Sequence, residues 1–466
     1  PALTIDGATP APPAYRFSIP GTYTIRTVER GEEYEPVLHT QTVTVAAGSP
    51  GVLRAESLEV TGNPPPFHNN FFRGVGLSPS GIALSTGPGG DLFVLIYRGQ
   101  TNPEDTTDVE TGYYLQLGDP ESDRWTDPVR LSEDPADLTI VPTDASEKLL
   151  DTSASVLQSY GLAVTGRQVH LTWIDNTKSL VYRSGLITAA SPNDFSLAWD
   201  ARTVLETNVS DRVVPVADPT DPTHCTLVIT SGSINSSESL VLYDITAPGT
   251  TALRSSVDIT RSSSDGSRIV AHDAVRLGDG RLMVAALENG GPFDPGIDCT
   301  ASVIGAGSSL DASYTVGSGV DTSFPPALLA DGDSEAILAF IQGTTGVVRR
   351  LTATGIGVGN FPIPPVTDLV AGSVDLDRDP NGQLAVLVQD TSGSIFDVIV
   401  GHIRVLHLTP DTLESIDEQP VSPSPYDTSD NGVGLLVPSS VALHVFWQEK
   451  GLNLNRNSRV LENRTN

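Results

Sequence analysis

An all-β fold is predicted for this chain: a small N-terminal β-sandwich module over residues 1–48, then a six- or seven-bladed β-propeller over residues 49–466. Three observations predict it. Gly and Pro number 43 and 35, about 17% of the chain against roughly 12% in average usage, which favours many turns and few long helices. The N-terminal segment alternates apolar and polar residues with the period of two that half-buried strands require. Beyond Ser49, a turn followed by an apolar strand recurs seven times.

In the first unit the expected strands are Tyr15 to Ile19, Thr22 to Val28 and Thr40 to Val45, broken by Pro20-Gly21 and the polar run Glu29 to Glu35. The seven later strands are Asp91–Tyr97, Gln168–Trp173, Cys225–Ile229, Arg281–Leu287, Glu335–Ile341, Gln383–Val388 and Ala442–Trp447; their last apolar residues are spaced by 76, 56, 58, 54, 47 and 59. Gly89-Gly90, Asp279-Gly280, Asp331-Gly332 and Asn381-Gly382 precede four of them, as tight connections between antiparallel strands require. A period in the fifties leaves room for about four short strands per unit, the signature of propeller blades. Tandem sandwiches, the alternative, repeat nearer 100 residues. One of the seven strands is either a blade or a closing strand, so six or seven blades are expected.

Composition excludes several functions. With 57 acidic and 27 basic side chains the net charge is −30, a field that repels nucleic acid. The longest apolar runs, such as Ala336 to Ile341, fall far short of the roughly 20 residues a membrane span needs, so no membrane insertion is expected. Only Lys148, Lys178 and Lys450 are lysines among the 27 basic residues. Carboxylate-rich, lysine-poor surfaces suit a halophilic source, and codon bias of a GC-rich genome produces the same pattern. Cys225 and Cys299 form no metal or redox motif and read as two buried thiols or one incidental disulfide.

Two resemblances add to this reading. Phe17-Ser18-Ile19-Pro20-Gly21-Thr22-Tyr23-Thr24-Ile25, followed by Gln41-Thr42-Val43-Thr44-Val45, resembles the closing half of immunoglobulin-like or PKD-like modules. Ser122-Asp123-Arg124-Trp125-Thr126-Asp127-Pro128-Val129-Arg130-Leu131 and Asn193-Asp194-Phe195-Ser196-Leu197-Ala198-Trp199-Asp200 resemble degenerate forms of the hairpin of sialidase-like (BNR/Asp-box) propellers, over about residues 50–466. The complete Asp-box is absent. The second resemblance implies an arginine cluster gripping a carboxylate, a Tyr–Glu nucleophile pair and an acid/base Asp at one mouth of the propeller; Arg73, Arg212 and Arg268, near the starts of blades, are the matching candidates. Arginine suits the role because its fork meets a carboxylate bidentately.

Other candidates come from the residues themselves. His68, and His272 with Asp273, fall at inner-strand positions where a general base of a lyase or hydrolase would line the channel; a hydrogen-bonded structural histidine is the plainer reading. His170 and His444 read as core-flanking. Asp375, Asp377, Asp379 and Asn381 alternate ahead of Gly382 like the opening of a Ca²⁺ loop, although Val388 stands where the closing Glu belongs; an Asp-Pro-Asn-Gly β-turn is the alternative. The acidic stretch Pro103 to Glu110 reads as a solvated loop. Asn208, Asn235 and Asn463 match the glycosylation acceptor pattern. Tyr113, Tyr160 and Tyr426 are candidate loop aromatics for a sugar platform.

No nucleophile-elbow, phosphate-loop, dinucleotide or zinc-protease motif is present, which leans the expectation away from an enzyme. The expected function is recognition or attachment: binding a glycan or a surface protein through a propeller face, at a cell surface, in the extracellular medium or as a virion spike, as a single chain or as a homo- or hetero-oligomer in a surface assembly. Pro1 reads either as a processed N-terminus or as a start left by Met removal, and the second fits a virion protein released by lysis. The alternatives are a glycosidase or polysaccharide lyase with two catalytic side chains facing across the central mouth, and a structural protein of a capsid or surface layer.

Overall fold

The computed structural model describes residues 21–29, 37–45, 53, 58–60, 72–101, 109–121, 124–126, 128–131, 139–141, 160–175, 179–191, 194–207, 209, 212–231, 239–247, 251–257, 268–289, 296–305, 307–320, 324–365, 370–391, 401–421, 434–449 and 459–465. Every regular element among them is a strand. Gly21–Glu29 and Val37–Val45 pair antiparallel as a sheet of their own, with Gly21 opposite Val45. The third expected strand of that unit, Tyr15 to Ile19, lies outside the described residues, and with it the sandwich reading.

The remaining strands form seven sheets. Their innermost strands are Ile82–Ser85 (with Phe72–Gly76) in blade 1, Tyr160–Thr165 in blade 2, Val213–Ala217 in blade 3, Arg268–Arg276 in blade 4, Ala327–Ala330 in blade 5, Val370–Arg378 in blade 6 and Gly434–Pro438 in blade 7. These inner strands touch in a closed ring, each against the next and the seventh against the first. The molecule is a seven-bladed β-propeller, which resolves the six-or-seven expectation.

The seven apolar runs are the second strands of the seven blades: Leu92–Thr101, Gln168–Ile174, His224–Ser231, Leu282–Asn289, Glu335–Gln342, Leu384–Thr391 and Leu443–Glu449. A second strand is covered on both faces by neighbouring blades, so it reads as a continuous apolar run rather than an alternation. The core accordingly lies between blades. Leu115, Val94 and Ile96 of blade 1 meet Tyr160, Leu171 and Trp173 of blade 2, and Met283, Ala285 and Leu287 of blade 4 meet Leu328, Leu338 and Phe340 of blade 5. Cys225 and Cys299 are free, buried thiols.

The turns from first to second strand hold the geometry their sequences promise. Gly280 and Gly382 sit at φ +88° and +82°, a region in which a side chain is strained and glycine is not. The ring closes through a seam. Leu58–Glu59 pairs with Arg459–Arg464 as the outermost strand of blade 7, Leu58 opposite Glu462 and Glu59 opposite Leu461. Val60 N–H donates to the Val460 carbonyl at 2.9 Å, and Trp125 Nε1 of blade 1 donates to Glu462 at 3.2 Å.

The two faces of the disc differ. Connections from first to second and from third to fourth strand meet at one face and are short, six residues or fewer. They are stapled to neighbouring blades: Arg167 of blade 2 donates to the Pro88 carbonyl at 2.9 Å and to that of Gly90 in blade 1, Arg378 of blade 6 pairs with Asp331 of blade 5, and Gly278 N–H of blade 4 donates to the Gly332 carbonyl of blade 5 at 3.1 Å. At the opposite face the connections vary in length, from two residues between Gln342 and Thr345 to 18 between Val141 and Tyr160.

Candidate functional site

On the propeller axis, at the longer-loop face, lies a cavity of about 40 Å³ lined by Pro79 of blade 1, Asp273 of blade 4, Phe324, Pro325, Pro326 and Ala327 at the start of blade 5, Ser373, Val374 and Asp375 of blade 6, and Gly434 and Leu435 of blade 7. Among the described residues its only charged lining residues are the two aspartates. Both lie deep among protein atoms and are half-buried, open where the cavity reaches them.

Each aspartate is positioned by its inner strand and engages the next blade. Asp273 Oδ2 accepts the Leu328 N–H of blade 5 at 2.7 Å, and its Oδ1 accepts the Ala274 N–H at 2.8 Å. Asp375 Oδ2 accepts the Leu436 N–H of blade 7 at 2.7 Å. The innermost strand of a blade is a sheet edge whose outward N–H groups have no strand partner; here a carboxyl supplies the acceptor. Burial raises the Asp273 carboxyl to about 7, against the opposing effect of the two N–H bonds. Asp375 is held well above the usual carboxylate range by burial, with Asp377 and Asp273 adding repulsion. Asp377, on the same strand, is raised by burial to about 7, opposed by the Arg378 N–H and charge.

The structure corrects several expectations. His272 is fully buried, its Nε2 3.0 Å from the Val228 carbonyl of blade 3, and burial, with Arg212 nearby, pulls it down to about 4. A ring so enclosed does not meet a substrate, so the general-base reading fails for it. Arg212 donates from Nη1 to the Ile269 carbonyl at 2.8 Å, joining blades 3 and 4. Arg73 and Arg268 lie on the inner strands of blades 1 and 4, with side chains outside the described part. His68 and Tyr426 lie outside the described residues altogether.

The expected Ca²⁺ loop is a turn. Asp375, Asp377 and Asp379 do not converge: Asp375 binds Leu436, Asp377 accepts the Arg378 N–H at 2.7 Å, and Asp379 Oδ1 accepts the N–H groups of Asn381 and Gln383 at 2.9 and 2.8 Å. Among the described residues no group of three His, Cys, Asp or Glu is arranged to hold a metal ion. An Asx turn satisfies the same sequence because the Asp side chain substitutes for a backbone acceptor.

Tyr113 and Tyr160 are not loop platforms. Both sit in strands, their rings edge to face at 5.2 Å between blades 1 and 2, and Tyr160 is 1% exposed. Asn463 is buried with its amide donating to the Val421 carbonyl at 3.1 Å, which excludes it as a glycan acceptor in the folded protein. His170 and His444 are core residues as expected, His170 against the Tyr182 hydroxyl at 2.7 Å and His444 against Glu462 at 2.7 Å. In the sequence Asp375 reads as a metal ligand and Asp273, with His272, as a catalytic candidate; their meeting at the axis depends on strands about a hundred residues apart.

No family model matches the sequence and no curated protein matches it. Among solved structures, the polysaccharide lyase Uly1 is similar at 9% identity over 90% of this chain and 100% of that chain, with a TM-score of 0.47. A protein of unknown function from Dyadobacter fermentans is similar at 8% identity over 89% and 99%, with a TM-score of 0.43. Trypanosoma rangeli sialidase in complex with sialic acid is similar at 10% identity over 90% of this chain and 59% of that chain, with a TM-score of 0.41. The chain is a seven-bladed β-propeller, similar in architecture to a sialidase and a polysaccharide lyase.

Proposed function

We propose that this chain is a recognition or attachment protein of a cell surface or virion, working outside the cell and binding a glycan or a surface protein through the face of the disc that carries the longer connections. The observation that carries this reading is the axis. Its cavity is about 40 Å³, against roughly 300–1,000 Å³ for pockets that enclose small ligands, and its two carboxyls are engaged with backbone N–H groups of the next blade. The other face is closed by short turns and inter-blade staples. Ligand-binding loops held on a rigid scaffold are the usual division of labour in such folds.

A second reading is favoured by one feature. Asp273 and Asp375 face a common central cavity with raised pKa, which is the arrangement a carbohydrate-active enzyme uses when it keeps one carboxyl protonated as general acid. One experiment separates the two: a glycan array and a polysaccharide-turnover assay on the same purified protein, in high salt. Binding without turnover is expected. Turnover lost in Asp273→Asn or Asp375→Asn overturns the recognition reading in favour of the enzyme.

A further inference from the structure

Asp273 and Asp375 are the only charges among the described residues lining the axial cavity, and each fastens its own blade to the next at the innermost edge, blade 4 to blade 5 through Leu328 and blade 6 to blade 7 through Leu436. We propose that the pair is a proton-operated clasp of the ring: protonated, the two carboxyls hold the inner strands together; ionised, two like charges confront each other across an apolar cavity and loosen the blades around the axis.

The geometry supplies the parts. Phe324, Pro325, Pro326, Val374 and Leu435 give the lining its apolar character, and no Lys or Arg is among its described residues or among the groups that shift either carboxyl. Burying an unpaired carboxylate is costly, and a group so placed takes up a proton instead. A neutral carboxyl still accepts the Leu328 or Leu436 N–H through its carbonyl oxygen, and the proton exchanges with solvent through the cavity. The other titratable or charged groups close to the pair are Asp377, two residues along from Asp375; Arg378, whose charge acts on Asp377; and His272 beside Asp273, turned towards blade 3 with Arg212 near it. Asp377 adds to the repulsion, and His272, buried and neutral, offers no relief near neutral pH.

The sign follows from linkage. Each carboxyl binds its proton more tightly in the folded state than in the unfolded chain, where an Asp titrates near 3.9. Its stabilisation is complete below that value and is lost as pH rises through the folded-state value, about 7 for Asp273. Histidines buried in neutral form act in the opposite sense, below about 6.5, so the clean window lies between pH 6.5 and 8.

The test is thermal and urea unfolding of the full chain across that window, in high salt to screen the net charge. The wild-type protein is expected to lose stability as pH rises, its folding constant falling by up to about tenfold per pH unit for each proton released. Asp273→Asn and Asp375→Asn, which keep an acceptor oxygen, are each expected to flatten the slope. A wild-type profile flat over the window, or either variant keeping the wild-type slope, overturns the proposal. Should a variant fail to fold, infrared spectra of the wild type decide: a neutral-carboxyl band at pH 6.5 that fades by pH 8 is expected, and its absence at pH 6.5 overturns the clasp.

Discussion

Arg404 in blade 6 is 4% exposed; its Nε meets Asp390 at 2.8 Å, Nη1 meets Glu418 at 3.0 Å and Nη2 donates to the Pro364 carbonyl at 2.5 Å. Asp390 is wholly buried. Breaking a buried pair leaves the other charge uncompensated, so Arg404→Leu is expected to cost about 3–5 kcal/mol by urea denaturation. Adding Asp390→Leu should recover part of that loss, because it removes the stranded charge. The exposed pair Arg281–Asp279, at 2.5 Å, is of a different order, roughly 1 kcal/mol or less. None of this was readable beforehand, since a lone Arg in the apolar run His402 to Leu408 carries no mark of its partner. The same holds at the axis. The sequence placed Asp273 beside a histidine and Asp375 in an acidic alternation, and both patterns suggested chemistry; only the neighbouring blade's N–H reveals the use to which each carboxyl is put.

At the level of strands, legibility followed burial. All seven second strands are visible in the sequence because both their faces are covered, and Gly-containing turns before four of them mark where those start. Outer strands left weaker traces. Gly355–Ile363, outermost in blade 5, carries no charge, exposes Val358 at 91%, and is protected instead by a register break between Arg349 and Leu351 that leaves Gly357 to Gly359 unpaired. The seam strand Leu58–Glu59 is two residues long and pairs with a segment at the far end of the sequence, so no local pattern announces it. It also yields a prediction about the boundary at residue 48. Removing residues 1–48 is expected to leave the melting temperature of the propeller within a few degrees of the full chain, whereas removing residues 1–60 strips the outer edge of blade 7 and is expected to lower it markedly or leave the protein aggregated. Differential scanning calorimetry of the two truncations checks this.

Taken whole, the disc divides its tasks between faces, staples and short turns on one, longer connections on the other, and it does so under a net charge of −30. Self-repulsion of that size weakens a compact state and is relieved by screening. Raising salt from about 0.1 M to about 1 M shortens the screening length from roughly 10 Å to roughly 3 Å, and the melting temperature at pH 8 is expected to rise across that range. A constant melting temperature would assign the acidic composition to solubility alone.

The seam carries a consequence for how the molecule is made. Leu58 and Glu462 are 404 residues apart, 462 less 58. At ribosomal rates of about 5–20 residues per second, roughly 20–80 s separate the emergence of the two partners. Throughout that interval the nascent chain holds an unpaired early strand and a first blade whose apolar flank awaits its neighbour, both open to wrong partners. The emergence of residues 459–464 therefore acts as the lock, and a stalled or truncated chain lacking them would be a substrate for chaperones rather than a slightly shorter propeller.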